Sequence, residues 1–184
     1  MSNSIYSIQN YSASVSYNKH DIIFYTDRKF YYAKQAVAAG TAPNYSNVIF
    51  DSDVNWGGYF RHPVSNKDYP LFLWKPAYQS QGNFEPKVSV IKYGDSYEKR
   101  TSDQINTDLL NLDLTFDGLT IDEATAILHF LHVRAAKSAF IYRPSQPFTV
   151  ASSDAKLFIC RKWTSTYNFY NNFTVKSSFE EIPA

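Results

Sequence analysis

The chain has 184 residues, enough for one good core or two small ones. Its 18 Lys+Arg against 17 Asp+Glu leave a formal charge of +1, which argues against a free nucleic-acid binder or a protein steered to an anionic membrane. Aromatic residues reach 17 %, with 15 Tyr and 14 Phe, which favours β structure and leaves many rings to be buried internally or against a neighbour.

In chain order, residues 22–25 form a short apolar run, "TDR" at 26–28 supplies a turn, and "KFYYAKQAV" at 29–37 is a second β-prone segment. Two short strands in a hairpin are predicted there. Residues 38–58 hold "AAGTAPN" and "DSDVNWGG", turn chemistry with Trp56 as the large apolar anchor. A segment so poor in aliphatics buries little alone. Residues 1–65 are therefore predicted to be a small all-β decoration module leaning on a host domain, 66–184. The boundary falls in "RHPVSNKDYP", where two prolines and polar residues are expected to interrupt any ladder. Removal of the module is expected to leave the remainder able to assemble.

In the second unit Pro76 stops the run Leu71–Trp74, and after Pro86 the alternation of Val88 and Val90 with Ser89 and Lys92 predicts a strand with one wet face. "KYGDSYEKR", residues 92–100, then reads as a hairpin. Gly94 supplies turn freedom, Asp95 accepts from turn amides, and Tyr97 returns to the sheet as an inward or interfacial ring. Arg100 is suited to fork onto a carboxylate of a neighbouring subunit. Leu110, Leu112, Leu114 and Phe116 alternate with polar residues, the period of a half-buried strand. A helix is predicted over 120–137. Thr120 and Glu123 make a capping box, Ala124, Ile127, Leu128, Leu131 and Ala135 form one apolar face, and Arg134 and Lys137 suit the negative end of the dipole. Strand-like "AFIYR", "AKLFICRKW" and "NFTVKSSFEEI" close the chain, the last with Phe173, Val175 and Phe179 on one side. Strands clustered around one helix, without regular alternation, predict a mainly β fold: an antiparallel sandwich or barrel flanked by one α-helix.

The search for chemistry finds little. His129 and His132, three apart, have no acidic or Cys residue to complete a ligand set and read as helix-surface histidines; His20 and His62 are isolated in loops. Asp51 and Asp53 beside Trp56 resemble a carboxylate pair, but "DSD" is ordinary turn chemistry and a small module offers no deep cleft. Cys160, the one cysteine, reads as a small buried hydrophobe. Phosphate-binding glycine loops, nucleophile elbows and paired-Cys metal signatures are absent. No catalytic, cofactor or metal site is expected, and no enzyme. No apolar run approaches the ~18 residues of a membrane span. The opening "MSNSIYSIQNYSASV" lacks a basic start followed by an apolar core, so a secretory leader is not expected.

The second unit also resembles a known family. "LWKPAYQSQGNFEPKVSVIKYGDSYEKR", the alternating strand, "FL" at Phe130–Leu131, Phe140, Pro144, Cys160 with Trp163, and Phe179–Glu180 follow the order seen in the minor tail protein M family of long-tailed, non-contractile bacteriophages. The resemblance covers residues 71–184. It rests on Trp74 in the opening strand and on Tyr93, Gly94, Asp95, Tyr97 and Arg100, with Ser96 where a second glycine is usual. It implies a fold related to tail tube subunits and a structural role without a known active site. It also implies a ring, hexameric, between the stacked tube and the distal tail and tip proteins, with viral DNA only in transit. Gly94, Asp95, Tyr97, Arg100, Trp74 and Trp163 are the structural or interface candidates. The family tends to end its helix with glycines; here stand Ala135 and Ala136, which points to a different exit turn.

The N-terminal unit is similar to small chitin-binding modules, through "YNKHDIIFYTDRKFYYAKQ". That resemblance implies a scaffold, with Gln35 and Ala36 where exposed aromatics are usual. An alternative reading makes the chain a host-glycan binder through Tyr31, Tyr32, Tyr45, Trp56 and Tyr59.

Overall fold

The structure, a computed structural model, describes residues 8–77, 80–84, 88–93, 97–102, 109–145, 148 and 155–183. The N-terminal sheet contains β1 (Gln9–Asn10), β2 (Ile22–Phe24), β3 (Phe30–Ala33) and, after the short helix α1 (Tyr45–Ile49), β4 (Trp56–Gly57), in the order β1-β2-β3-β4. β2 and β3 form the predicted hairpin, with Ile22 opposite Tyr32. The module is not all β, because α1 forms inside the stretch read as turns. Asn44 starts it by accepting the Asn47 amide, and burial of Val48 and Ile49 holds one face down.

The stretch expected to interrupt any ladder instead pairs. β5 (Tyr59–Arg61) and β6 (Asp68–Pro70) are antiparallel, with Pro70 at the strand end opposite Tyr59, where its missing amide does least harm. Arg61 grips Asp68 through Nε and Nη2 at 2.7 and 3.1 Å across this hairpin. His62 is buried in its turn and accepts the Ser65 amide on Nδ1.

The remaining strands are β7 (Gln81–Phe84), β8 (Val88–Lys92), β9 (Glu98–Ser102), β10 (Leu110–Leu119), β11 (Phe140–Tyr142), β12 (Lys156–Phe169) and β13 (Asn172–Glu181), with helix α2 (Ile121–Arg134) between β10 and β11. Five of them make one antiparallel sheet, β11-β12-β13-β10-β7, curled into a half-barrel. The fold is mainly β, with two helices rather than one among the described residues. As the alternation predicts, Leu110, Leu112, Leu114 and Phe116 all point into the core, and across the sheet Leu112 sits opposite Phe179 and Phe116 opposite Val175. The ladder shifts between Phe116 and Leu119, where Gly118 takes a φ of 68° that a side chain would resist.

α2 covers this core. Thr120 caps it, and Glu123 returns the capping box. Its buried face is Ala124, Ala126, Ile127, His129, Phe130, Leu131 and Arg134, wider than the predicted stripe, and Ala135 lies beyond the helix rather than on that face. The exit is left-handed despite the missing glycines: Ala135 has φ 43° and ψ 39°, Ala136 has φ 59°, and the Ala135 amide donates to the Leu131 carbonyl. An L-residue in that conformation costs about 1–2 kcal/mol, so Ala135→Gly is expected to gain about 1 kcal/mol, read as a higher thermal midpoint. An unchanged or lower midpoint would mean that the added freedom of the unfolded chain cancels the relief.

One apolar cluster contains both Ile22 and Tyr32 of the N-terminal sheet and the side chains of α2 and the half-barrel. A second, smaller cluster around Tyr17, Ile23, Tyr31 and Trp56 belongs to the N-terminal module.

Candidate assembly surface

Among the described residues β8 and β9 pair only with each other, so the hairpin stands apart from the five-stranded sheet. Val90 faces Arg100, Ile91 faces Lys99, and beyond Lys92–Glu98 the Tyr93 amide donates to the Tyr97 carbonyl at 2.8 Å. Side chains of successive strand residues point to opposite faces, yet Val90 (45 %) and Ile91 (47 %) are both exposed. The strand predicted to have one wet face therefore has two. Tyr93 and Tyr97 are exposed as well, with ring centroids 6.1 Å apart. Arg100 rests on Glu98 of its own strand, its Nε 2.9 Å from Oε1. Gly94 and Asp95 lie outside the described residues.

The other candidates sit elsewhere. Trp74 is buried, its ring stacked edge-on against Tyr32 and Phe72 at 5.1 Å each. Trp163 is half-buried against the main core, in one row with Ser177 and Leu114 across β12, β13 and β10. Sequence reasoning missed a second exposed feature, the far end of the β12–β13 hairpin, where residues 164–170 are exposed, with Phe169 and Tyr170 among them and the Tyr167 ring 5.3 Å from Phe173. A run of polar residues hid it, because nothing local signals that β12 continues past Trp163. Asn171 ties this end down by accepting the Ile121 amide at the start of α2. β7, four residues long, pairs with β10 on one side and with no described strand on the other.

The residues weighed for chemistry have structural partners. Asp53 accepts the Asn55 and Trp56 amides, the turn role expected of it. Asp51 binds Lys34 at 3.0 Å and Arg143 of the half-barrel at 2.9 Å. Burial opposes its ionisation, but these two cations outweigh burial and hold its pKa below the usual carboxylate value. Cys160 is buried, and burial pushes its thiol up to about 11, the wrong direction for a nucleophile. Tyr31, Tyr32 and Trp56 are fully buried, while Tyr45 and Tyr59 are half-buried against the module's own cluster. Four of the five candidate sugar-platform rings thus belong to the module's own cluster, and Tyr32 to the main core. Among the described residues no group of three or more His, Cys, Asp or Glu is placed to hold a metal, and no helix is long and apolar enough to cross a membrane.

His129, expected on the helix surface, is buried with its Nδ1 3.0 Å from the Tyr32 hydroxyl, whereas His132 is exposed. Burial first, then the positive charges of Arg134 and His132, lower its pKa to about 4. The unfolded chain takes up a proton near the ordinary value of 6.5 while folded His129 stays neutral. Its contribution to stability is therefore complete above pH 6.5 and declines as pH falls from 6.5 towards 4. His20, paired with Glu123 at 3.0 Å, is shifted in the same direction by burial. Thermal melts across this range are expected to show a falling midpoint, and His129→Gln a shallower fall. An identical pH slope in the variant would remove His129 from the account.

A mainly β half-barrel with two hairpins that expose apolar and aromatic side chains has the character of a building block of an assembly. The chain belongs to the phage minor tail protein family, whose sequence model matches residues 70–182. It is accordingly a structural component of the virion tail. The match leaves out the whole N-terminal sheet, and no curated protein matches the chain.

Proposed function

We propose that the protein forms a closed ring, hexameric, in the distal part of a long non-contractile tail, in the manner of minor tail protein M. The ring joins the tail tube to the distal tail and tip proteins and surrounds a channel through which viral DNA passes on ejection. The observation that carries this reading is the β8–β9 arm. A two-stranded hairpin is marginal by itself in water, and here it exposes Val90, Ile91, Tyr93 and Tyr97 together. Docking on a neighbour gives both faces something to cover. Tyr97 enters the neighbour, and Arg100 exchanges Glu98 for a carboxylate across the interface. Trp74 and Trp163 stiffen the body that carries the arm. The open side of β7 favours the same arrangement, since a ring leaves no edge exposed.

Lysine and arginine nearly balance aspartate and glutamate beyond residue 66, which suits a channel wall that releases phosphates rather than retaining them. The N-terminal module is a brace that shares the half-barrel's core, not a glycan binder. The test is the double variant Ile91→Asp, Tyr97→Asp. Its circular dichroism and melting temperature are expected to match the parent, because both side chains are already exposed, while ring formation by light scattering and complementation of infectious particles are lost. Rings that persist at the parent's concentration dependence would refute the interface.

A further inference from the structure

The junction between the N-terminal module and the half-barrel is open along part of its length. Two hollows of about 540 and 430 Å³ lie there, both lined by Lys34, Leu73, Trp74 and Lys75. Their common floor is the extended stretch 71–76. At its ends the backbone is paired: the Leu71 amide donates to Gly58, the Phe72 amide to Ile141 and the Ala77 amide to Thr115. Between them, the amides of Leu73, Trp74 and Lys75 donate to no carbonyl of the described residues. An extended backbone with spare hydrogen-bonding groups is a template for another strand.

The charge around this floor is net positive, with Lys19, Lys34, Lys75 and Arg143 against Asp51 and Glu123. Lys19, Lys34 and Lys75 line the smaller hollow, and Arg143 lines the larger. Lys34 and Arg143 share Asp51, and Glu123, hydrogen-bonded to His20 and to the α2 cap, keeps its negative charge at one end of the smaller hollow. Lys19 and Lys75 are exposed, and neither has an ion-pair partner among the described residues. The site thus offers backbone pairing, an apolar floor and two uncommitted ammonium groups. Nucleic acid calls for a longer cationic track or exposed stacking rings, and Trp74 is buried edge-on among its neighbours.

We propose that this cleft receives a short acidic segment of another protein as an added β-strand along Leu73–Lys75, its carboxylates held by Lys19 and Lys75. Side chains on one face of such a strand pack beside Trp74, and those on the other lie beside Leu73 and reach the cations. The site is separate from the β8–β9 arm, so its fate does not depend on the ring. The test titrates the full chain with a fluorescein-labelled peptide of alternating Glu and Val, followed by anisotropy, beside a Lys/Val counterpart and a thymidine oligonucleotide. The Glu/Val peptide is expected to bind, and Lys19→Glu with Lys75→Glu to weaken it by about tenfold or more. Lys67→Glu, on a remote exposed turn, is expected to leave binding unchanged, with all variants checked for fold by circular dichroism. Hydrogen exchange at the Leu73 and Lys75 amides is expected to slow on binding. Absence of binding to the parent, equal binding by the double variant, unprotected amides, or oligonucleotide binding as tight as the peptide would each overturn the proposal.

Discussion

Replacing Phe72 by alanine is expected to destabilise the protein by about 3–5 kcal/mol, the range for emptying a buried aromatic site. Phe72 is buried, and the rings of Trp74, Phe116, Phe130, Phe140, Tyr142 and Phe179 lie around it with centroids 5.1–6.1 Å away. Those partners come from the linking stretch, β10, α2, β11 and β13, so no single shift of backbone closes the hole. Domain stabilities of about 5–15 kcal/mol make this a large share of the total. Urea unfolding followed by circular dichroism measures it. A loss below about 1 kcal/mol would show that the surrounding rings collapse into the space, contrary to the rigidity of such packing. Phe72→Leu, which fills part of the site, is expected to fall between the two.

Deletion of residues 1–65 is expected to abolish cooperative folding of the remainder, which reverses the expectation raised by the composition of that segment. Tyr32 and Ile22 belong to the same cluster as Phe130 and Leu112. Without Tyr32 the Trp74 ring loses a partner at 5.1 Å, and His129, buried in the intact chain, loses the hydroxyl 3.0 Å from Nδ1. Arg143 loses Asp51, and Glu123 loses His20. Each large side chain no longer buried forfeits about 1.5–3 kcal/mol, and each polar group that loses one of its partners adds to the cost. The sum is on the order of the whole stability of a domain. The truncated chain is expected to bind a hydrophobic dye and to lack a sharp thermal transition. A transition within a few degrees of the parent's would show instead that the N-terminal module is dispensable, and tail complementation by the truncated chain would then be informative.

The elements that were legible in the sequence are those whose signal is local. Leu110 to Phe116 alternate because one face of one strand is buried, and Thr120 with Glu123 marks a helix start through bonds closed within four residues. The β2–β3 hairpin likewise follows from an apolar run, a turn and a second β-prone run, and the order of strands around one main helix was enough to reach a mainly β, antiparallel class. Tertiary structure decided what depends on distant partners. His129 looks like a surface histidine on its own helix, yet a tyrosine 97 residues earlier covers it. Arg134, read as a dipole partner, is buried with its guanidinium over Phe130 at 4.2 Å. The two alanines at the helix exit keep a left-handed turn because the chain must reach β11, a demand no local preference records. The exposure of the β8–β9 arm belongs to the same kind. Val90 and Val88 promise a buried face, but burial requires an opposing layer, and the five-stranded sheet completes itself without this hairpin. A sequence specifies which residues seek cover; which of them find it within the chain is settled only when all the elements are in place.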